Sequence, residues 1–182
     1  HERGSPQKRR ETVEALLRCG ATVAVNHLAG DARAIETVTR LARDSGSGPN
    51  GRVIGAPGDV SDPADAARMV GQAIADLGGL DILINNAATP MTIEPIPFED
   101  FEAMTEEKWD KILQTNLVGP FRCAKAAAPA LKASKGVIVN TASVAAEDGQ
   151  IGQAAYTASK AGIFGITLTV ARDLSNEGIR CN

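Results

Sequence analysis

Apolar residues recur along this chain in two patterns that alternate with each other. Spacings of three and four residues predict helices at 11–19, 31–44, 61–77, 105–134 and 153–176. Short apolar runs rich in β-branched residues lie between them and predict buried strands at 21–25, 52–55, 80–84, 136–140 and from 178 onward. Strands that alternate with helices of this length form right-handed βαβ units on a parallel sheet. We therefore expect one doubly wound α/β domain over residues 1–182.

Helix boundaries carry recognisable end signals. Asp31 and Thr105 stand where N-cap residues are expected, and Gly20 follows the first helix as a C-cap would. Pro63 fits the first turn of the third helix, since an N–H is not needed there. The Gly/Ser-rich stretch 45–51 predicts a surface loop.

Composition narrows the class of protein. The chain has 182 residues, 43% hydrophobic and 23% charged, which excludes collagen, disorder and a small disulfide-built scaffold. A net charge of −3 offers no positive excess for nucleic acid. Cys19, Cys123 and Cys181 are odd in number and far apart, which indicates reduced thiols and a cytoplasmic protein. No apolar run approaches the roughly 18 residues of a membrane span, so we expect no membrane partner.

Polar residues follow several predicted strands at the point where each strand ends. They are Asn26, Asp59, Asn85-Asn86 and Ser143. In doubly wound sheets, ligands bind beyond the carboxyl ends of the strands. We therefore look for the functional site there, and we predict no metal site.

Tyr156 and Lys160 are the strongest candidates for chemistry. They lie four residues apart in the last long predicted helix, so both side chains share one helix face. A neighbouring ammonium favours the phenolate form of a tyrosine, which could exchange a proton with a substrate oxygen. The spacing alone is equally typical of two surface residues on a helix. The functional interpretation of the pair therefore depends on the other candidate residues.

Ser143 and Asn116 are two further candidates. Ser143 stands beyond strand 136–140, where its hydroxyl could polarise a carbonyl or cap a turn. Asn116 lies inside the long helix, four residues before Pro120. Because proline lacks an N–H, the hydrogen bond ending on the Asn116 carbonyl cannot form, so we expect a kink and a carbonyl available to a water. A serine hydrolase is disfavoured, since the chain has no Gly-x-Ser-x-Gly motif.

Three residues are candidates for binding a dinucleotide. Asp59 could accept a hydrogen bond from an adenine amino group, and Asn86 could hold backbone or ribose, although either could cap a helix instead. Asn26 stands where dinucleotide folds carry an acidic residue that selects the free ribose hydroxyl of NAD. Its lack of a carboxylate favours NADP, with NAD still possible because Asp31 lies close by.

Taken in order, these residues resemble the classical short-chain dehydrogenases/reductases. The resemblance covers residues 11–182 and is closest in character to the 3-oxoacyl-carrier-protein reductases and glucose dehydrogenases. Its motifs are Asp59-Val60, Asn85-Asn86-Ala87-Ala88, Asn116, Ser143 and Tyr156-x-x-x-Lys160. It implies a Rossmann-type sheet, an NAD or NADP cofactor, and hydride transfer between nicotinamide and a carbonyl or alcohol substrate.

The resemblance also implies roles for individual residues. Tyr156 would be the general acid/base, Lys160 would act on Tyr156 and hold the nicotinamide ribose, and Ser143 would polarise the substrate oxygen. Asn116 would anchor a water that links Lys160 to solvent. Asp59, Val60 and Asn86 would match the family's adenosine and ribose contacts. Family members commonly form dimers or tetramers through the two long helices, here 105–134 and 153–176.

The chain departs from the family pattern at both ends. The family opens with a strand and a Thr-Gly-x-x-x-Gly-x-Gly turn that binds pyrophosphate, whereas residues 1–10 contain one glycine and no apolar strand. We expect residues 1–10 to be irregular or non-native, and the domain to lack this first strand, the C-terminal strand and the substrate loop. The first strand is central in the family, so strands 21–25 and 80–84 should each have an unpaired edge.

Two alternatives remain open beside the oxidoreductase. One is a truncated or frame-shifted remnant that dimerises through its long helices and binds no cofactor. The other is an extended epimerase-type enzyme that shares the Tyr-x-x-x-Lys spacing, which the Asn116 pattern disfavours.

Overall fold

Helices and strands alternate as predicted, and every strand pair in the described part of the chain is parallel. The computed structural model describes residues 6–45, 51–90 and 102–182. The strands are β1 (Val23–His27), β2 (Val53–Pro57), β3 (Ile82–Asn85), β4 (Val137–Asn140) and β5 (Arg180–Cys181). The helices are α1 (Pro6–Arg18), α2 (Ala32–Asp44), α3 (Pro63–Leu77), α4 (Glu106–Leu113), α5 (Gly119–Ser134), α6 (Ala145–Asp148) and α7 (Ala154–Asp173).

Helix α1 begins earlier than the sequence pattern indicated. Residues 6–10, which we expected to be irregular, form its first turns. Proline is favoured at the start of a helix, and the Gln-Lys-Arg-Arg sequence after Pro6 consists of good helix formers. Residues 1–5, and 46–50 of the predicted loop, lie outside the described residues.

The predicted helix caps are present. The Asp31 side chain accepts a hydrogen bond from the Ala34 N–H, and the Thr105 side chain accepts one from the Lys108 N–H. Asp62 caps α3 in the same way, with Pro63 in the first turn. These contacts satisfy N–H groups that have no partner within a helix.

The long helix predicted at 105–134 is interrupted where we expected a kink. A π-helical turn, Gln114–Val118, separates α4 from α5, and the Gly119 N–H donates to the carbonyl of Gln114, five residues earlier. Asn116 lies at the centre of this turn and Pro120 follows it. The helix is thus irregular where we predicted a kink, because proline leaves the regular ladder incomplete at this point.

The parallel strands form two sheets within the described residues. One sheet pairs β1 with β2, aligning Val23 with Val53, and the other has the order β3-β4-β5. In the second sheet Ile82 is aligned with Val137, and Val137 with Arg180. Thus β1 and β3 each pair on one side, which agrees with the expectation that no strand would stand between them.

Helices α3 and α5 pack together and join the two sheets. Their shared core contains Met69 and Val70 from α3 and Cys123, Ala127 and Leu131 from α5. Ala56 of β2 and Ile138 of β4 both belong to the same core, so a single apolar cluster reaches strands of both sheets. A smaller cluster, built on Val38, Leu41 and Val53, packs α2 and α1 against the first sheet.

Over the three described ranges, no helix combines the length and apolarity needed to cross a membrane.

Candidate functional site

The buried lysine of helix α7 lies at the carboxyl end of strand β4. Lys160 is only 3% exposed, and its Nζ donates a 2.6 Å hydrogen bond to the carbonyl of Thr141, the residue directly after β4. The same Nζ lies 6.0 Å from the centre of the Tyr156 ring, one turn earlier on α7. Lys160 therefore faces the strand end rather than open solvent, and the half-buried Tyr156 lies beside it.

Burial changes the proton affinity of Lys160. It lowers the pKa of this ammonium from 10.5 to about 8, because the charged form loses hydration in the protein interior. Lys160 can therefore gain or lose a proton close to physiological pH. Such a perturbed group at a strand end is typical of functional sites.

Ser143 lies two residues beyond the carbonyl that binds Lys160. Its Oγ accepts a 3.2 Å hydrogen bond from the Ala145 N–H, and its carbonyl accepts one from Ala146. Ser143 therefore stands at the start of the short helix α6, which the sequence pattern did not predict. The hydroxyl proton can still be donated to another oxygen, because the contact from Ala145 uses Oγ as acceptor.

Both the oxygen and the nitrogen of the Asn116 side-chain amide are hydrogen-bonded within the protein. Its Oδ1 accepts from the Thr89 N–H at 2.7 Å, and its Nδ2 donates to the Thr89 carbonyl at 2.9 Å and to Ser159 Oγ at 3.2 Å. Asn116 and Ser159 are both fully buried. The amide thus joins the π-helical turn to the segment after β3 and to helix α7.

Asparagines and a threonine link the ends of β3 and β4. Asn85 Nδ2 donates to Asn140 Oδ1 at 2.9 Å, and Thr141 Oγ1 donates to Asn86 Oδ1 at 3.1 Å. The Thr141 N–H also donates to the Asn85 carbonyl, which extends the parallel pairing by one residue. Thr141 therefore contacts both Lys160 and Asn86, the residue that we predict to bind cofactor.

Asp59 lies in the turn between β2 and α3 and is held by several donors. Its Oδ1 accepts from the backbone N–H and the Oγ of Ser61, and Lys111 Nζ on α4 lies 3.5 Å from Oδ2. Burial raises the pKa of Asp59, but the hydrogen bonds from Ser61 and the Lys111 charge outweigh it, so the pKa lies below its usual value. Asp59 is therefore an ionised acceptor at neutral pH.

Val60 and Asn26 have mainly internal contacts. Val60 is buried, and its Cγ2 would lie 3.0 Å from a Cβ added at Gly119 on α5. Asn26 lies within β1 rather than after it, and its Nδ2 donates to the carbonyls of Ala56 and Gly58 and contacts Met69 Sδ. The amide nitrogen of Asn26 is thus committed to strand β2 and helix α3.

Most of the predicted site residues fall into one connected group, and Asp59, Val60 and Asn26 lie outside it. Contacts connect Tyr156, Lys160, Asn116 and Asn86 through Thr141 and Ser159, and Ser143 follows Thr141 closely in the chain. Asp59 connects to Lys111 of α4, the helix that leads into the π-helical turn, while Asn26 packs toward Met69.

Sequence reasoning missed Thr141, Ser159 and Lys111. Of these, Ser159 carried a usable signal, because it stands three residues after Tyr156 and directly before Lys160.

Within the described ranges, no group of three His, Cys, Asp or Glu side chains could hold a metal ion.

The parallel α/β fold, with Lys160 bound at the end of β4, is that of a Rossmann-like protein, and comparison with known proteins agrees. The sequence profile of the family described as short chain dehydrogenase matches residues 10–182. The chain belongs to the short-chain dehydrogenase family.

Named relatives lie in the same family. The chain is 37% identical over 178 residues to 3-hydroxyacyl-CoA dehydrogenase type-2 of Drosophila melanogaster, covering 94% of this chain and 66% of the relative. It is 34% identical over 164 residues to the 3-oxoacyl-acyl-carrier-protein reductase FabG of Staphylococcus aureus, covering 90% and 62%. The chain thus spans somewhat less than two thirds of each of these curated relatives.

Solved structures show the same fold. A short chain dehydrogenase from Mycobacterium smegmatis superposes with a TM-score of 0.82 at 31% identity, covering 98% of this chain and 70% of that one. The Rossmann-like assignment therefore rests on similarity of both sequence and structure.

Proposed function

We propose that this protein is an NAD(P)-dependent oxidoreductase that interconverts a carbonyl and an alcohol, with Tyr156 as general acid/base. The observation that carries the proposal is the buried Lys160, held at the end of β4 with its ammonium 6.0 Å from the Tyr156 ring. Burying an ammonium costs free energy. A buried ammonium beside the single tyrosine of the chain therefore favours a functional role for the pair.

The described residues fit the nicotinamide half of a dinucleotide. An ammonium has three N–H donors, and Lys160 spends one of them on Thr141, which leaves donors for ribose hydroxyls. Asp59 would hold the adenosine end through its ionised carboxylate, and Val60 and Asn86 would flank it. A glycine-rich turn is not found in residues 6–20, where the chain is helical up to Arg18.

Each residue would have a defined part in the reaction. NAD(P)H, when bound, supplies the hydride that reduces the carbonyl carbon. Ser143 would donate a hydrogen bond to the substrate oxygen and polarise the carbonyl, and Tyr156 would transfer its phenolic proton to that oxygen as the alcohol forms. Lys160 would stabilise the resulting phenolate by charge. In the oxidative direction Tyr156 would accept the same proton back.

The relatives suggest which substrates to try first. Two of them are named for 3-hydroxyacyl-CoA and 3-oxoacyl-acyl-carrier-protein. We propose a small carbonyl or alcohol compound as substrate and 3-oxoacyl thioesters as its first candidates. The glucose dehydrogenase type of the resemblance makes a sugar the second.

We also propose a preference for NADP, a cytoplasmic location and a dimer or tetramer. The preference follows from the end of β1, where Asn26, His27 and Leu28 supply no carboxylate that would select NAD. Oligomerisation through the long helices is supported by exposed apolar side chains on α5 and α7, namely Phe121, Phe164 and Leu168.

The test is a hydride-transfer assay on the protein with NADPH or NADH and a 3-oxoacyl thioester, following nicotinamide absorbance. We expect oxidation of the cofactor that is lost in Tyr156→Phe, while binding of the cofactor by calorimetry persists. Cofactor binding without turnover of any carbonyl or alcohol tried would contradict the catalytic assignment. Absence of cofactor binding would favour the remnant that dimerises through its helices.

A further inference from the structure

Ser159 lies between the two candidate catalytic residues of α7 and is completely buried. Its Oγ donates a 2.7 Å hydrogen bond to the carbonyl of Tyr156 and accepts a 3.2 Å hydrogen bond from Asn116 Nδ2. A hydroxyl can donate one hydrogen bond while accepting another, so both contacts are compatible. Ser159 is therefore the point where the helix carrying Tyr156 and Lys160 is hydrogen-bonded to the π-helical turn.

The other side of this contact is also firmly held. Asn116 spends its remaining amide groups on the backbone N–H and carbonyl of Thr89. The hydrogen bonds between Thr89, Asn116 and Ser159 thus join the segment after β3, the π-helical turn and α7. A buried hydrogen-bond network in which each member is satisfied allows little movement of the elements it joins.

The position of α7 decides where the Lys160 ammonium lies. Lys160 follows Ser159 directly, and its single described hydrogen bond goes to Thr141 on the opposite side of the site. Burial is the one resolved cause acting on its pKa, and the titratable side chain that faces it is Tyr156. A small shift of α7 would admit water to Lys160 and alter the distance between its ammonium and the Thr141 carbonyl.

We propose that Ser159 is a positioning residue for this site: by binding Asn116 it sets the place of helix α7, and so aligns Tyr156 and Lys160 at the end of β4. The inference rests on the proposed function for its effect on turnover. It assigns Ser159 no contact with substrate or cofactor.

The first test compares Ser159→Ala with a matched control. Ser175→Ala removes a hydroxyl that donates to a carbonyl three residues earlier, Arg172, at 2.8 Å, and Ser175 is exposed outside the site. We expect Ser159→Ala to lower kcat about tenfold, with the KM for the cofactor changed less than about twofold, because misplaced groups reduce turnover more than binding. Ser159→Thr, which keeps the hydroxyl, should recover part of kcat, and Ser175→Ala should behave as the parent.

The second test needs no activity. Isotope-labelled lysine followed by NMR reports the titration of Lys160, whose signal is identified by its loss in Lys160→Arg. In Ser159→Ala we expect the Lys160 titration to move to higher pH, as water reaches the ammonium, and in Ser175→Ala to stay in place. If Ser159→Ala does not fold, Ser159→Cys keeps the side-chain size with a weaker hydrogen bond and should show the same shift in smaller measure.

The outcomes separate the two proposals. An unchanged Lys160 titration in Ser159→Ala overturns the positioning role, whether or not the parent protein is active. A shifted titration in a protein that turns over no substrate supports the positioning of Lys160 and counts against the proposed function alone. A loss of kcat that is matched by Ser175→Ala also overturns the inference.

Discussion

The Lys160 ammonium donates a 2.6 Å hydrogen bond to the Thr141 carbonyl, and this contact joins helix α7 to the end of strand β4. Lys160 is 3% exposed, so its ammonium has lost most of its hydration. The hydrogen bond to the Thr141 carbonyl replaces only part of that hydration. The contact therefore places the charge where the site needs it at a cost in stability. That cost can be measured.

Replacement of Lys160 by methionine should stabilise the protein at neutral pH. The folded-state pKa of Lys160 is about 8 against 10.5 unfolded, so below pH 8 both states are protonated and the burial penalty is fully present. The shift corresponds to about 3 kcal/mol, the upper bound of the expected gain. Urea unfolding at neutral pH measures it.

The gain in stability expected for Lys160→Met should decrease as the pH rises above 8. As the pH rises from 8 to 10.5 the folded protein loses the proton while the unfolded chain retains it, so the parent gains stability and the advantage of Lys160→Met shrinks. Lys125→Met, on the exposed face of α5, is the control and should show no such trend. A Lys160→Met variant that is less stable than the parent at neutral pH would contradict the argument.

Asn116→Ala should destabilise the protein strongly. The change removes three hydrogen bonds, one buried and two half-buried, and leaves the Thr89 N–H and carbonyl without this partner. We expect a loss of about 2 to 4 kcal/mol in the free energy of unfolding, since buried groups that lose partners incur the desolvation cost. Thermal and urea melts test this against Asn176→Ala, an exposed asparagine that should change stability by less than about 0.5 kcal/mol.

Gly136→Ala and Gly71→Ala should have opposite effects. A Cβ at Gly136 would lie 2.5 Å from the Asp81 carbonyl oxygen and 2.7 Å from Leu131 Cδ2, so β3 and α5 would have to move. We expect a loss of at least about 2 kcal/mol there. At Gly71, within α3, a Cβ meets nothing within 4 Å, and alanine should add about 0.5 to 1 kcal/mol. Equal effects at both positions in urea melts would refute the packing argument.

The unpaired sides of β1 and β3 should be visible in amide hydrogen exchange. Val23 donates to Arg52 and Thr141 donates to Asn85, so alternation in a parallel ladder directs Val25 toward β2 and Leu83 toward β4. The N–H groups of Ala24 and Ile84 then point away from these partners. We expect them to exchange at least about tenfold faster than Val25 and Leu83 in NMR measurements. Equal protection of all four amides would show that both edges are covered.

Local sequence determined most of the secondary structure. The caps at Asp31 and Thr105 are confirmed, and the helix is irregular near Asn116, where a kink is predicted, because each feature depends on residues within four or five positions. The start of α1 differs from the prediction, since residues 6–10 are helical although they have no apolar pattern. Helix formers after a proline can extend a helix without contributing to its apolar face.

The tertiary structure alone decided which partners the site residues have. The sequence brought Tyr156 and Lys160 onto one helix face, yet the acceptor of Lys160, the Thr141 carbonyl, depends on how α7 packs against the end of β4. The same holds for Ser159 and Asn116, which lie 43 residues apart in sequence. The catalytic and binding roles assigned to these residues stay predictions. Helical periodicity reports neighbours one turn away, whereas contacts between distant segments follow from strand register and core packing, which no local pattern contains.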